Sequence, residues 1–434
     1  MYRKIISIMI SFSVLCSSCF SLSANALDYQ SSIKYNSDLN YYSMNPEDTI
    51  DFAEDFLKEV YYSIDQYKEC EFQDYVNNTD FLEYINNKVQ AYSFKLKAFD
   101  ADDKQNYNLS LKCVDIKIEN DKAYLSINTD ISFNYKGADS KSEYGEQNWI
   151  VISTTNSGNK EIIDWYIPFK DYDVSVRGSI DSIYNLNVWG TSKGKEILKK
   201  QQSENNTIQK YYSELSKKQN SSQLSSANIE KDNIKSTSSL TLHSLNKSNI
   251  VTWATNNYNK VNPTSGNSAQ VSSYYDIATI PGNYDCTNFV SHAVLAGGTP
   301  VYDTGGYGIS GTGWYFRNIY NRSSSWTGVV YLYNYIKNNT NKGPTATELS
   351  YSNVYPPTGY YPYVFGDLMQ FYGSTEWIHS AVITSYIPVS GSSTTLEAGI
   401  TFRVSSSTYA LNMRQSDEYS GHSRRVLKLN GYYS

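Results

Sequence analysis

Between Pro46 and Tyr135 the spacing of apolar residues switches from three and four to two, and this switch constrains the fold more than any other feature of the chain. In "PEDTIDFAEDFLKEVYYSI", Ile50, Ala53, Phe56, Leu57 and Val60 recur at helical spacing. After about Phe99 the period becomes two. "YNLSLKCVDIKI" and "AYLSINTDISFNY" alternate apolar and polar residues and are joined by the turn "ENDK". Ala123, Leu125, Ile127, Ile131 and Phe133 would line one face. "NWIVISTTNSGNKEIIDWYI" predicts a further hairpin with "NSGN" at its turn. Helices followed by antiparallel strands specify an α+β module, placed here at residues 27–195. It contains no histidine, and no catalytic constellation is visible in it.

"LKKQQSENNTIQKYYSELSKKQ" reads as a polar helix, and the Ser/Asn-rich stretch after it has too few apolar residues to order itself. Residues 196–248 are therefore expected to link the first module to a second one at 249–434. A length of 434 residues suits two domains, each with its own core. The first 26 residues have the form of an export signal. Arg3 and Lys4 precede the apolar run "IISIMISFSVLC", and Ala24-Asn25-Ala26 is the cleavage site. That run is short for a membrane span, and neither Cys16 nor Cys19 sits in a good lipobox. The expected location is secreted, outside the membrane. Losing Arg3 and Lys4 takes the formal charge from −6 to −8, which argues against nucleic acid as a partner. The 42 tyrosines are read as drift toward A/T-rich codons, with half-buried strand positions as their structural use.

Removal of the signal leaves Cys70, Cys113 and Cys286, an odd number, so at least one thiol has no partner within the chain. Cys70 and Cys113 are either a pair or two buried thiols. Cys286 differs. It lies in "DCTNFVSHAVLAGG", where Asp285 suits an N-cap, Phe289/Ala293 and Val290/Val294 stack four apart, and Gly297-Gly298 ends the turn. A cysteine in a first helical turn is expected to ionise more readily than the free amino acid. The four histidines are His243, His292, His379 and His422. His292 falls well around the helix from Cys286 and His422 lies in a polar turn. His379 lies on the second of two strands in "YVFGDLMQFYGSTEWIHSAVITSY" and shares a face with Ala381 and Ile383. A helix carrying Cys286 is expected to pack on that face, bringing thiol and imidazole together as nucleophile and base. The histidines are too scattered for a metal site, and no cofactor is expected.

In this order, "NYDCTNFVSHAVLAGG", "GWYFRNIYNRSSSWTGVVYLYNYI", "FGDLMQFY" and "IHSAVITSY" resemble the bacterial putative amidase domain family over Ser248 to Ser434. That family is related in architecture to papain-like, NlpC/P60 and CHAP-type cysteine hydrolases. The resemblance implies a helix bearing the nucleophile at its start, packed on an antiparallel sheet. It implies Cys286 as nucleophile and His379 as base, with a third polar group on the next strand. Asn412 is the nearest match for that group, and Asp417 and His422 stay open. His292 stands where the family usually has Gln. The Cys286 backbone N–H, Asn283 and Asn288 are candidate oxyanion donors. Asp285 caps the helix or orders the loop before the thiol. Asp367 is read as structural, Trp326, Val330, Tyr333 and Ile336 as helix core, and Trp314 as a cleft residue able to contact substrate. The first module is similar in element order to the cone-like nuclear-transport-factor-2 type (NTF2-like). Export and the resemblance together imply peptidoglycan stem or bridge peptides as substrate. A non-catalytic surface-binding or adhesive protein that keeps the fold is the alternative.

Overall fold

The computed structural model describes residues 44–66, 68, 71–99, 104–155, 157–168, 184, 188–220, 240–260, 277, 284–351, 363–373, 376–389, 396–405, 407–418 and 421–434. Residues 1–26, expected to form an export signal, Cys70, Asn283 and the Ser/Asn-rich stretch at 221–239 lie outside them. Among the described residues, no helix is long and apolar enough to cross a membrane.

Helix α1 (Pro46–Gln66) begins after Asn45, whose side-chain oxygen accepts from the N–H groups of Glu47 and Asp48 at 2.9 and 3.3 Å. Its stripe of Ala53, Phe56, Leu57 and Val60 is buried. Helix α2 (Thr79–Phe99) follows, and then β1 (Lys104–Glu119), β2 (Lys122–Tyr135), β3 (Lys141–Thr154) and β4 (Lys160–Tyr166). Glu119 pairs with Lys122, so the β1–β2 turn is the two residues Asn120-Asp121. Asn120 takes φ +55°, a left-handed conformation that asparagine tolerates better than most residues. The expected face of β2 is buried at all five positions.

The polar stretch expected to belong to the linker forms α3 (Ser192–Asn220) and packs on α2. Ile197, Leu198, Tyr211 and Tyr212 are buried, and Asn205 donates to the Asn87 carbonyl at 2.9 Å. The stripe is narrow and punctuated by Gln201 and Asn205, so composition hides it while helical spacing preserves it.

The second half runs β5 (Leu242–His243), α4 (Lys247–Asn257), α5 (Cys286–Ala296), β6 (Ile309–Ser310), β7 (Phe316–Asn318), β8 (Asn321–Ser323), α6 (Ser324–Thr327) and α7 (Val329–Ile336). It continues with β9 (Gly343–Tyr351), β10 (Leu368–Tyr372), β11 (Trp377–Pro388), β12 (Leu396–Arg403), β13 (Tyr409–Arg414), α8 (Gln415–Glu418) and β14 (Arg424–Tyr433). Among the described residues the main sheet has eleven strands, nine in the order β1-β2-β3-β13-β12-β11-β10-β14-β5, with β4 also on β3 and β9 also on β14. The protein is thus α+β with a large antiparallel sheet, and the pairing of β13 with β3 joins its halves. Tyr409, Ala410 and Leu411 of β13 lie opposite Gly145, Tyr144 and Glu143 of β3. The Tyr409 ring occupies the space a Cβ on Gly145 would need, 2.6 Å away, and its hydroxyl donates to Asp130 at 2.6 Å.

Both faces of β10, β11, β12 and β13 are largely buried. One core includes Met369, Phe371, Ala381, Ile383, Ile400 and Phe402, and is continuous with Phe56, Ile127 and Phe133 of the first half. The other joins Leu368, Val382 and Leu427 to α4 through Ile250, to α5 through Phe289 and Val290, and to Trp326 and α7.

Candidate active site

Helix α5 forms where the sequence predicts it. All residues from Cys286 to Val294 are buried. The helix ends at Gly297, and Gly298 follows at φ +95°, a conformation other residues adopt only with strain. His292 sits among the rings of Trp253, Phe316 and Trp326, and burial pushes its imidazole down to about 3, so it packs as a neutral ring.

The start of α5 enters a gap in the sheet. The β11–β12 ladder runs from Pro388↔Leu396 to Val382↔Thr401 and stops there, although β11 extends back to Trp377 and β12 on to Arg403. In place of the missing pairs, the Asp285 N–H donates to the Val404 carbonyl at 3.0 Å. The Ser380 backbone N–H is directed at the Cys286 sulfur. Thr287 completes the contact, its hydroxyl 3.8 Å from that sulfur and 3.2 Å from the Ser380 hydroxyl. The thiol therefore meets β11 at the residue that follows His379.

His379 lies opposite Phe371 on β10, and its ring is 4.4 Å from that of Phe402 in an edge-on arrangement. It shares a face with Ala381 and Ile383, as expected. The body of α5 packs on the other face, against Val382 and Leu368, which corrects the expected placement of the helix. The sequence could not distinguish the faces because both are apolar. The sulfur approaches the histidine's strand through the gap between β11 and β12.

Protonation also differs from expectation. Burial pushes the Cys286 thiol above its ordinary value, against the opposing pull of the Ser380 N–H and of Thr287. Burial pushes His379 down to about 3. Each is 4 % exposed. Desolvation outweighs the helix start, so the resting groups at neutral pH are a thiol and a neutral imidazole. Cys113 is buried, its Sγ 3.4 Å from the Asp115 carbonyl oxygen, and burial pushes its thiol up to about 11.

Asp285 makes no side-chain cap bond to α5. Its Oδ1 accepts from the Ile277 N–H at 3.1 Å and from Asn288 Nδ2 at 2.9 Å, while Oδ2 faces Arg403 Nε at 3.2 Å. Of the two roles expected for it, this is the ordering one. Burial pushes the Asp285 carboxyl up to about 7, with Arg403 pulling it back down. The pair ties the helix start to the end of β12. Sequence alone did not single out Arg403; the available signal was an arginine closing "LEAGITFR", directly after the apolar Phe402.

The remaining candidates are engaged elsewhere. Asn412 stands at φ +49°, accepts from the Thr384 hydroxyl at 2.8 Å and donates to the Lys141 carbonyl at 3.3 Å. Thr384 is five residues along β11 from His379, a distance of roughly 16 Å. Asn412 thus braces the β13–β3 join and does not orient the imidazole. Asp417 accepts from the Tyr135 hydroxyl at 2.7 Å and faces Arg414 at 3.5 Å. His422 places Nδ1 2.9 Å from the Tyr372 carbonyl oxygen. Asn288 bonds Asp285 at one end of its amide and accepts from Trp326 Nε1 at 2.8 Å at the other, a framework role in place of the expected oxyanion one. Trp314 is wholly buried against Trp326, with ring centroids 4.4 Å apart, so it is a core residue and not a cleft residue. Asp367 is structural, as expected: it holds Lys247 at 2.5 Å and the Val364 and Leu429 N–H groups at 2.8 and 2.9 Å.

A family model described as "Putative amidase domain" matches residues 244–422, about two fifths of the chain. The match spans α4, α5 and the strands β6 to β13, and takes in both Cys286 and His379. No curated protein and no solved structure matched.

Proposed function

Residues 244–422 match the model of the putative amidase domain family, and from that premise we propose that the chain hydrolyses amide bonds with Cys286 as nucleophile and His379 as base. The observation that carries the reading is the gap between β11 and β12. It admits the start of α5 and sets the Cys286 sulfur against Ser380, the neighbour of His379. A nucleophile at a helix start, braced on an antiparallel sheet that bears the base, is the arrangement a papain-like hydrolase requires.

The resting pair is neutral, so the first step transfers the Cys286 proton to His379 as the substrate carbonyl arrives. Thiolate attack gives a tetrahedral oxyanion, for which the Cys286 backbone N–H at the helix start is the candidate donor. Collapse forms a thioester, and His379 returns the proton to the departing amine. Water then attacks the thioester with His379 as base, releasing the carboxylic acid and restoring the thiol. Ser380 and Thr287 hold the sulfur from the β11 side, and the Asp285–Arg403 pair fixes the loop before it.

The residue 1–26 signal pattern supports export, and export supports an extracellular substrate, with peptidoglycan stem or bridge peptides the favoured class. The first half's helices and hairpins support an NTF2-like module. A second reading, a non-catalytic surface-binding protein, draws support from the burial of both Cys286 and His379.

Digestion of purified peptidoglycan with the wild type and with Cys286→Ala, followed by mass spectrometry of new amines, separates these readings. Amines released by the wild type alone support the cysteine hydrolase. Equal release by both proteins removes the cysteine mechanism, and no release from peptidoglycan or from a general peptide library favours the binder.

A further inference from the structure

A second opening lies in the same structure, where α1, α2 and α3 meet the end of β10 and residues 417–418 and 421–423. It is a cavity of about 360 Å3. That size falls in the range of roughly 300–1,000 Å3 typical of small-molecule sites. Neither Cys286 nor His379 lines it.

The wall is aromatic, with Tyr61, Tyr84, Tyr144, Trp165, Tyr212 and Tyr372 contributing. Its charged residues are four carboxylates, Glu146, Glu204, Asp417 and Glu418, against two lysines, Lys88 and Lys200. Burial lowers His422, which also lines the cavity, so it adds no positive charge at neutral pH. Carboxylates thus outnumber lysines on the wall, and Arg414 offsets one of them, facing Asp417 at 3.5 Å.

Glu146 is a buried carboxylate of this wall. It is 3 % exposed and accepts from the Tyr61 hydroxyl at 2.7 Å. Burial and the Glu146 charge push that hydroxyl well above its ordinary value, so it stays protonated and donates. A carboxylate has lone pairs for more than one donor. The rings already accommodate an ammonium: Lys88 Nζ lies 4.5 Å from the Trp165 ring centre and 4.7 Å from that of Tyr84.

We propose that this cavity binds a small organic cation, an amine with an apolar body, its ammonium directed to Glu146 and its body held among the tyrosines. An anion of the same shape would meet the Glu146 carboxylate. A neutral analogue would lose both the charge-assisted hydrogen bond and the cation–ring attraction. The lining residues come from both halves of the chain, so the ligand would bridge them.

Calorimetric titration of the full chain with 2-phenylethylamine, 2-phenylethanol and phenylacetate tests this, since the three share a body and differ in charge. The amine is expected to saturate and to bind at least about tenfold more tightly than either analogue. Glu146→Gln is expected to lose that preference. Ile208→Trp, which fills the cavity from α3, is expected to lose binding with an unchanged far-ultraviolet circular dichroism spectrum. Cys286→Ala is expected to bind as the wild type does, which separates this site from the proposed amidase centre. Equal binding of all three compounds, tighter binding of the acid, no saturation by the amine, or undiminished binding by Ile208→Trp would each overturn the proposal.

Discussion

At the scale of the residue, burial decides the chemistry of Cys286. A helix start lowers a thiol's pKa when solvent or a cation shares the site. Here the sulfur is enclosed, and desolvation outweighs the donors around it. Alkylation of Cys286 by iodoacetamide should therefore rise about tenfold per pH unit between pH 6 and 8, because thiolate is the reacting form and lies far below saturation. A plateau across that range would reveal a preformed thiolate–imidazolium pair and contradict the neutral resting state. His292 offers a test of stability. Its folded-state value of about 3 lies below the ordinary 6.5, so the unfolded chain binds the extra proton between those limits. The resulting destabilisation is absent above pH 6.5 and grows as the pH falls toward 3. His292→Phe removes the titrating group, so relative to its own difference from wild type at pH 7.5 it should gain about 2 kcal/mol at pH 5, read by urea unfolding at both pH values.

At the scale of the element, the start of α5 is held by one buried ion pair. Arg403→Met would leave Asp285 enclosed without its cation, a loss of about 3–5 kcal/mol when the carboxyl is ionised. Asp285 already stands at about 7 with Arg403 present, and losing that pull raises it further. A raised carboxyl favours folding below its unfolded value and loses that advantage as the pH climbs through the folded one. Arg403→Met should therefore cost most near pH 8 and much less near pH 5, as denaturant midpoints at the two values would register. The ends of α5 were legible in the sequence because Asp285, the four-residue apolar spacing and Gly297-Gly298 are local signals. The hairpin of β10 and β11 and the shared face of His379, Ala381 and Ile383 were legible from a period of two. Which face meets the helix was not, because Val382 is as apolar as Ala381 and alternation carries no sign when both sides are buried. Asn412 was placed in the site by its position in the chain, and a register fixed by pairing with β3 put it beside Thr384 instead.

At the scale of the whole molecule, the strands of the two halves form one sheet. Reading length and composition favours two domains with separate cores and a linker between them. The core around Phe371, Ala381 and Phe402 nevertheless runs without interruption into Phe56, Ile127 and Phe133, and β13 has β3 as its neighbour. Long-range strand pairing leaves little local trace, and Gly145 and Tyr409, which meet at the join, are ordinary strand residues in sequence. If this continuity governs stability, the two halves should unfold together. Differential scanning calorimetry of the full chain should give one transition whose van't Hoff and calorimetric enthalpies agree. Gly145→Val tests the join directly, because its side chain would displace the Tyr409 ring from a position 2.6 Å from the new Cβ. Overpacking of this kind costs roughly 1–3 kcal/mol. The variant should lower the single midpoint without splitting it. Two transitions in the wild type, or a Gly145→Val trace in which only the first half melts early, would mean that the sheet is continuous in geometry but divided in energy.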